Sequence, residues 1–212
     1  MLRTILITVI FVFFTLNVFC QSSSLRVGIG IKPIVSSVHD TDPDLNLDPF
    51  YALSLGAAVD YKLSNKLLLS SGLEYEKKGA RGETLIFNDQ GFSTGASPYR
   101  FNLNFLQLPL YATYRSNGKF KFFISLGCNL GYLFNQELAH DDNAFPDSET
   151  NFNEFELSLL LGGGIEFSYN ERFDLSLGLR NNRALTELES ENGFLHLKTD
   201  TFGAILGLHY NL

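Results

Sequence analysis

Ionisable side chains recur at every second position within several apolar stretches of this 212-residue chain. Arg26 and Lys32, Asp60 and Lys62, Glu74 and Glu76, Glu156 and Glu166, Asp174 and Arg180, and His209 all follow that spacing. In an extended strand a period of two places such residues on one face. If those faces converge on a narrow, poorly hydrated interior, opposite charges must pair there, because an unpaired buried charge is very costly. The sequence therefore points to a structural network of salt bridges across a lumen. Its functional rival is a gated path for protons or ions.

Three other groups of residues invite chemistry. The run His39-Asp40-Thr41-Asp42-Pro43-Asp44-Leu45-Asn46-Leu47-Asp48 has alternate acidic residues, as a calcium loop does. The comparison with an EF-hand fails, because Leu45 replaces the turn glycine and Tyr51 stands where a bidentate glutamate belongs. A solvated acidic segment is the expectation, and the same holds for His140-Asp141-Asp142-Asn143 with Asp147 and Glu149. Divalent ions bridging such a segment to lipopolysaccharide are the rival reading. His39, His140 and His196 lie in or beside the long connections and serines are plentiful in the chain, yet no spacing singles out a nucleophile with its base. We expect no enzyme, no cofactor and no metal site. Cys128 falls on an apolar face and reads as a small hydrophobe.

The elements that must position these residues are eight segments of alternating apolar and polar character. The first carries Leu25, Val27, Ile29 and Ile31 against Arg26, Gly28, Gly30 and Lys32. The last carries Phe202, Ala204, Leu206, Leu208, Tyr210 and Leu212 against Gly203, Ile205, Gly207, His209 and Asn211. The connections alternate between long and short. Pro33–Phe50, Gly79–Ser97, Asn135–Asn151 and Arg183–Leu195 are long; Ser64–Lys66, Ser116–Gly118 and Asn170–Glu171 are short. Such alternation puts every long connection at one end of the molecule, the signature of an up-and-down barrel with short periplasmic turns and longer external loops. The fourth segment, Tyr99–Arg115, is irregular: Phe101, Leu103 and Phe105 share one phase, and Leu106, Leu108, Leu110, Ala112 and Tyr114 the other. A bulge near Phe105–Pro109 would shift the phase, and Pro109 suits one because it cannot donate to the ladder.

Alternation does not say which face is outside. A soluble lipid-binding barrel would bury the apolar face. Three features favour the inverse. The polar face is rich in Gly, Ser and Ala, which fit a narrow interior. Aromatics gather at segment ends, including Tyr51, Tyr61, Tyr75, Tyr114, Phe120, Tyr132, Phe155, Tyr169, Phe173 and Tyr210, as interfacial girdles do. The final segment also resembles the recognition signal of outer-membrane barrels.

The N-terminus points to the same compartment. A charged Met1-Leu2-Arg3, an apolar run from Thr4 to Phe19 and Cys20 before Gln21 predict a secretory signal peptide over residues 1–20 and a barrel domain over 21–212. Acylation of Cys20 is the rival, but Phe19 is larger than the residue that normally precedes a lipidated cysteine. Removing the segment takes away one of 16 basic residues and none of 23 acidic ones, so 15 − 23 leaves a charge of −8. That balance argues against nucleic acid as a partner. One remaining cysteine excludes an internal disulfide.

Five segments, in order, resemble a large porin-like outer-membrane β-barrel family common in the Bacteroidota. They are Leu69-Ser70-Ser71-Gly72-Leu73-Glu74-Tyr75-Glu76-Lys77-Lys78-Gly79, Leu106-Gln107-Leu108-Pro109-Leu110, Phe122 to Tyr132, Leu161-Gly162-Gly163-Gly164-Ile165-Glu166, and Leu179 to Thr186. In the last, Asn181 and Ala184 depart from the usual Tyr and Gly. The resemblance implies an outer-membrane location, and one branch of that family is linked to protein secretion. The expectation is an all-β, eight-stranded antiparallel transmembrane barrel with both termini periplasmic. It would be embedded in outer-membrane lipid and act through its loops or periplasmic rim on envelope or secretion partners. Porin-like passage of small solutes is the alternative, followed by a lipid-modifying enzyme and a soluble lipocalin-like binder.

Overall fold

The computed structural model describes residues 25–40, 47–87, 93–140, 152–189 and 196–212. The strands are β1 (Leu25–Asp40), β2 (Asp48–Lys62), β3 (Leu67–Phe87), β4 (Ser93–Arg115), β5 (Phe120–His140), β6 (Phe155–Ser168), β7 (Phe173–Ala184), β8 (Leu188–Glu189) and β9 (His196–Asn211). Each long strand pairs antiparallel with its neighbour in the order β1 to β7 and then β9. Pairing of β1 with β9, from Arg26 opposite Asn211 to Asp40 opposite Leu197, closes the ring. The result is an eight-stranded barrel, with β8 as a two-residue addition against β9 at Leu197 and His196.

The pleat decides the faces. Ile29, Phe122 and Leu206 point outward and are 64%, 70% and 55% exposed, while Arg26, Asp60, Glu76 and Glu156 point inward and are almost fully buried. An apolar exterior around a charged interior is the inverse of a soluble barrel and fits a wall in contact with lipid. Aromatic pairs mark both borders of that wall. Phe120 with Phe167 (4.9 Å) and Phe173 with Tyr210 (5.2 Å) lie toward the short turns, and Tyr132 with Phe155 (5.4 Å) and Tyr75 with Phe134 (6.1 Å) toward the other end. Cys128 is exposed on the outer face.

The short turns have local causes. Asn170 Oδ1 accepts from the backbone N–H groups of Arg172 (2.9 Å) and Phe173 (2.7 Å). Ser64 Oγ accepts from Leu67 N–H (3.1 Å) in the same way. Such side-chain acceptors replace ladder bonds and stabilise tight reversals. Gly118 has φ of 119°, a conformation that side chains rarely tolerate.

Two expectations need correction. Three of the four long connections are shorter than the sequence suggested, because β1 runs on to Asp40, β3 to Phe87, β4 begins at Ser93 and β5 runs on to His140; the fourth, between Ala184 and His196, falls where expected. Beyond the aromatic border the alternation fades, since neither face meets lipid, but the backbone ladder continues. The irregular fourth segment keeps a single phase from Leu103 to Arg115: Leu103, Phe105, Gln107, Thr113 and Arg115 are all buried inward. The β4–β5 register does shift between Asn104 and Phe105, at the edge of the expected place, but the extra residue is Phe134 of β5, so β4 itself keeps its phase. Leu103 and Phe105 share the inner face because that part of the lumen is apolar.

Candidate functional site

The lumen is filled in layers. Nearest the short turns, Arg26 of β1 bridges three strands. Its Nε donates to Asp60 Oδ2 (2.7 Å), and its Nη1 to Glu166 Oε2 (2.5 Å) and, more weakly, Asp174 Oδ2 (3.4 Å). Arg26 and Asp60 stand directly opposite in the β1–β2 register, so local pairing sets that contact. Glu166 also receives Arg115 Nη1 (2.9 Å) and Lys121 Nζ (3.0 Å). Asp174 receives Ser168 Oγ (2.5 Å) and Asn211 Nδ2 (3.0 Å).

At mid-height Glu74 accepts from Lys32 Nζ and Arg180 Nη1, both at 2.6 Å. The Arg180 guanidinium lies 5.0 Å from the centre of the Tyr111 ring, a favourable cation–π placement. A cavity of about 90 Å³ lies among these groups, lined in part by Ser70, Thr113, Ser125 and Ser176. Higher still, Lys32 Nζ reaches Glu76 Oε2 (3.0 Å), and Thr201 Oγ1 donates to Glu76 Oε1 (3.2 Å). Lys78 donates to Glu156 and to Thr199 Oγ1 (3.1 Å), whose hydroxyl in turn donates to Glu156 Oε2 (2.6 Å). Lys78 Nζ also lies 4.7 Å from the centre of the Phe105 ring.

Above that layer the filling becomes apolar. Val38, Ala80, Leu103, Phe105, Leu133, Phe152, Leu188 and Leu197 form one buried cluster at the long-connection end. Leu188 explains β8: its pairing with Leu197 brings this side chain over the lumen.

The structure brings Arg26, Asp60, Glu74, Glu76, Glu156, Glu166, Asp174, Arg180 and His209 together inside the barrel, in contact with one another or with Lys32, Lys78, Arg115 and Lys121. Lys62 stands apart. It lines an open basin at the short-turn mouth with Arg115, Lys119 and Lys121, and has no ion-pair partner among the described residues. Sequence reasoning missed Lys78, which shares the phase of Glu74 and Glu76, and Lys121, which shares that of Ser125. Extending the third segment's alternation finds Lys78; Lys121 already lay on the polar face of the fifth segment but was not counted among the lumen charges. Arg115 was hidden by the unresolved phase of β4.

His209 sits between Asp60 (Nδ1 to Oδ2, 3.4 Å) and Ser176 (Nε2 to Oγ, 3.0 Å). The order of acid, imidazole and hydroxyl is that of a nucleophilic triad. Here the acid is already engaged by Arg26, and the adjoining cavity holds only a few waters. Gly28 and Gly207 make room for the ring: a Cβ at Gly28 would lie 2.6 Å from His209 Nδ1, and one at Gly207 3.0 Å from Nε2. The ring is packed as an interior brace.

At the other end, Glu187, Glu189 and His196 place potential ligand atoms within 4.8 Å of one another. Glu187 is already bridged by Lys198 Nζ (3.1 Å) and lies 3.5 Å from His196 Nδ1. The acidic runs at 41–46 and 141–149 lie outside the described residues.

Residues 19–189 match the outer membrane protein beta-barrel domain. The chain belongs to that family. Among solved structures, this outer membrane barrel is similar to Neisserial surface protein A, NspA, at 12% identity, with 90% of this chain and 98% of that chain covered and a TM-score of 0.52. It is also similar to the outer membrane protein OprG from Pseudomonas aeruginosa, at 14% identity, 89% and 96% coverage and a TM-score of 0.54. Likenesses at such identity concern the fold of the barrel. No curated protein sequence matches the chain.

Proposed function

We propose that this outer membrane barrel is a non-conducting, non-enzymatic envelope protein that works through its two rims and not through its lumen. The observation that carries this is the filling of the lumen: three levels of ion pairs, topped by the apolar cluster around Phe105 and Leu197. An eight-stranded barrel has room for side chains and little else. A hydrated ion would have to break paired charges and then cross a dry apolar layer.

In this reading residues 1–20 are removed as a signal peptide, the short turns and both barrel ends face the periplasm, and the longer connections face outward. Outer-membrane lipid surrounds the apolar wall. The rims are then free to engage envelope or secretion proteins. Planar-bilayer recording tests the central point. The purified barrel is expected to give no conductance steps above the lipid background. Regular steps that scale with salt would overturn the reading and favour passage of small solutes.

A further inference from the structure

The basin at the short-turn mouth has a volume of about 480 Å³ and is lined by Lys62, Arg115, Lys119 and Lys121, with Asp174 and Glu171 as its carboxylates. Charge is distributed unevenly over this chain of net charge −7. Around the short-turn mouth stand six cationic residues, Lys62, Lys66, Arg115, Lys119, Lys121 and Arg172, against three acidic ones, Glu166, Glu171 and Asp174. Two of those acids are already saturated. Glu166 is engaged by Arg26, Arg115 and Lys121, and Asp174 by Arg26, Lys121, Ser168 and Asn211.

Two donors are left over. The Arg115 side chain is only 9% exposed, and its Nη1 is spent on Glu166. Its Nε–H is buried and has no hydrogen-bond partner. Buried polar groups are nearly always paired, and leaving one unpaired costs about 1–3 kcal/mol. Lys62 brings a second cation into the same basin with no counter-ion among the described residues. A guanidinium and an ammonium that line one basin suit an oxyanion, since charge-assisted bonds to carboxylate or phosphate oxygens are the strong ones. The lining holds four cations against the two carboxylates of Asp174 and Glu171, so a further cation would be repelled.

We propose that the short-turn mouth is a binding site for a small oxyanion, a phosphate or a carboxylate group, held between Lys62 and the guanidinium of Arg115, both of which line the basin. Lys119, whose ammonium lies 5.3 Å from the centre of the Phe167 ring, adds positive potential at the rim. The site does not depend on the closed lumen: a barrel that conducts could still hold an anion here.

The test uses ¹⁵N-labelled barrel in zwitterionic micelles, with the Arg115 Nε–H resonance as the readout. Inorganic phosphate and acetate are titrated separately, with chloride holding ionic strength constant. A saturable shift with either anion is expected, and the tighter of the two identifies the oxyanion class. Lys62→Met should raise the half-saturating concentration roughly ten-fold, about the loss of one charge-assisted bond. Lys66→Met, on the turn, should leave it unchanged. Heat-modifiable gel mobility confirms that each variant is folded. An unsaturated drift with both anions, or saturation unaffected by Lys62→Met, would overturn the proposal.

Discussion

The two halves of the lumen use the same strands and the same pleat, yet they are filled on different terms. The half near the short turns is wet at its mouth. Its ion pairs share partners, so Glu166 alone meets Arg26, Arg115 and Lys121. The half near the long connections is dry. Lys78 and Glu156 are fully buried beneath the apolar cluster; among the described residues Glu156 has no other cation, and Lys78 has only Glu76, at 3.9 Å, as a second carboxylate. The lesson is that a charge pair is not a unit of stability. Redundant partners and nearby water make a pair replaceable, whereas isolation under an apolar lid makes each member dependent on the other.

Substitutions can sharpen that contrast. Glu156→Leu would leave the Lys78 ammonium with the more distant Glu76 carboxylate (3.9 Å) as its only ionic partner in the dry half and should cost about 3–5 kcal/mol in urea unfolding from lipid vesicles. Adding Lys78→Met to it should restore most of the loss. A single variant as stable as the parent would break the comparison. Next in size, Phe105→Ala should cost about 3 kcal/mol by the same assay, since it removes a buried aromatic from the lid and leaves a cavity. In the wet half, Lys121→Met should cost about 1 kcal/mol or less, because Arg26 and Arg115 continue to satisfy Glu166. That smaller difference should shrink further between low and high salt. Lys66→Ala, on an exposed turn, should fall within about 0.5 kcal/mol of the parent.

The wall of the barrel was legible because lipid on one face and a lumen on the other impose strict alternation. That signal alone places Arg26, Asp60, Glu74, Glu166 and Arg180 on one side of their strands. It failed where its cause fails. Past Tyr75 and Tyr132 no lipid faces the strands, so the extensions of β3 and β5 read as loops although their ladders continue. Leu103 and Phe105 confused β4 because the lid is apolar as well as the wall, and a period of two needs contrasting faces to be visible. Lys62 shares the phase of Asp60, yet phase carries no information on height along the axis. Its height was legible from the Ser64–Lys66 turn two residues on, and the structure adds that it lines the open mouth instead of joining the pairs.

The seam between β1 and β9 has a kinetic consequence. Every other barrel seam joins strands that are consecutive along the chain, or in the case of β7 and β9 separated only by the two-residue β8, and can zip locally in the manner of hairpins. This one joins the most distant strands, so it carries the largest loop-closure entropy and closes last. Until then both strands expose unpaired backbone edges, which are templates for association with other chains. The folding problem for this barrel is thus concentrated in one late event, and an unfinished ring needs escort until its two edges meet.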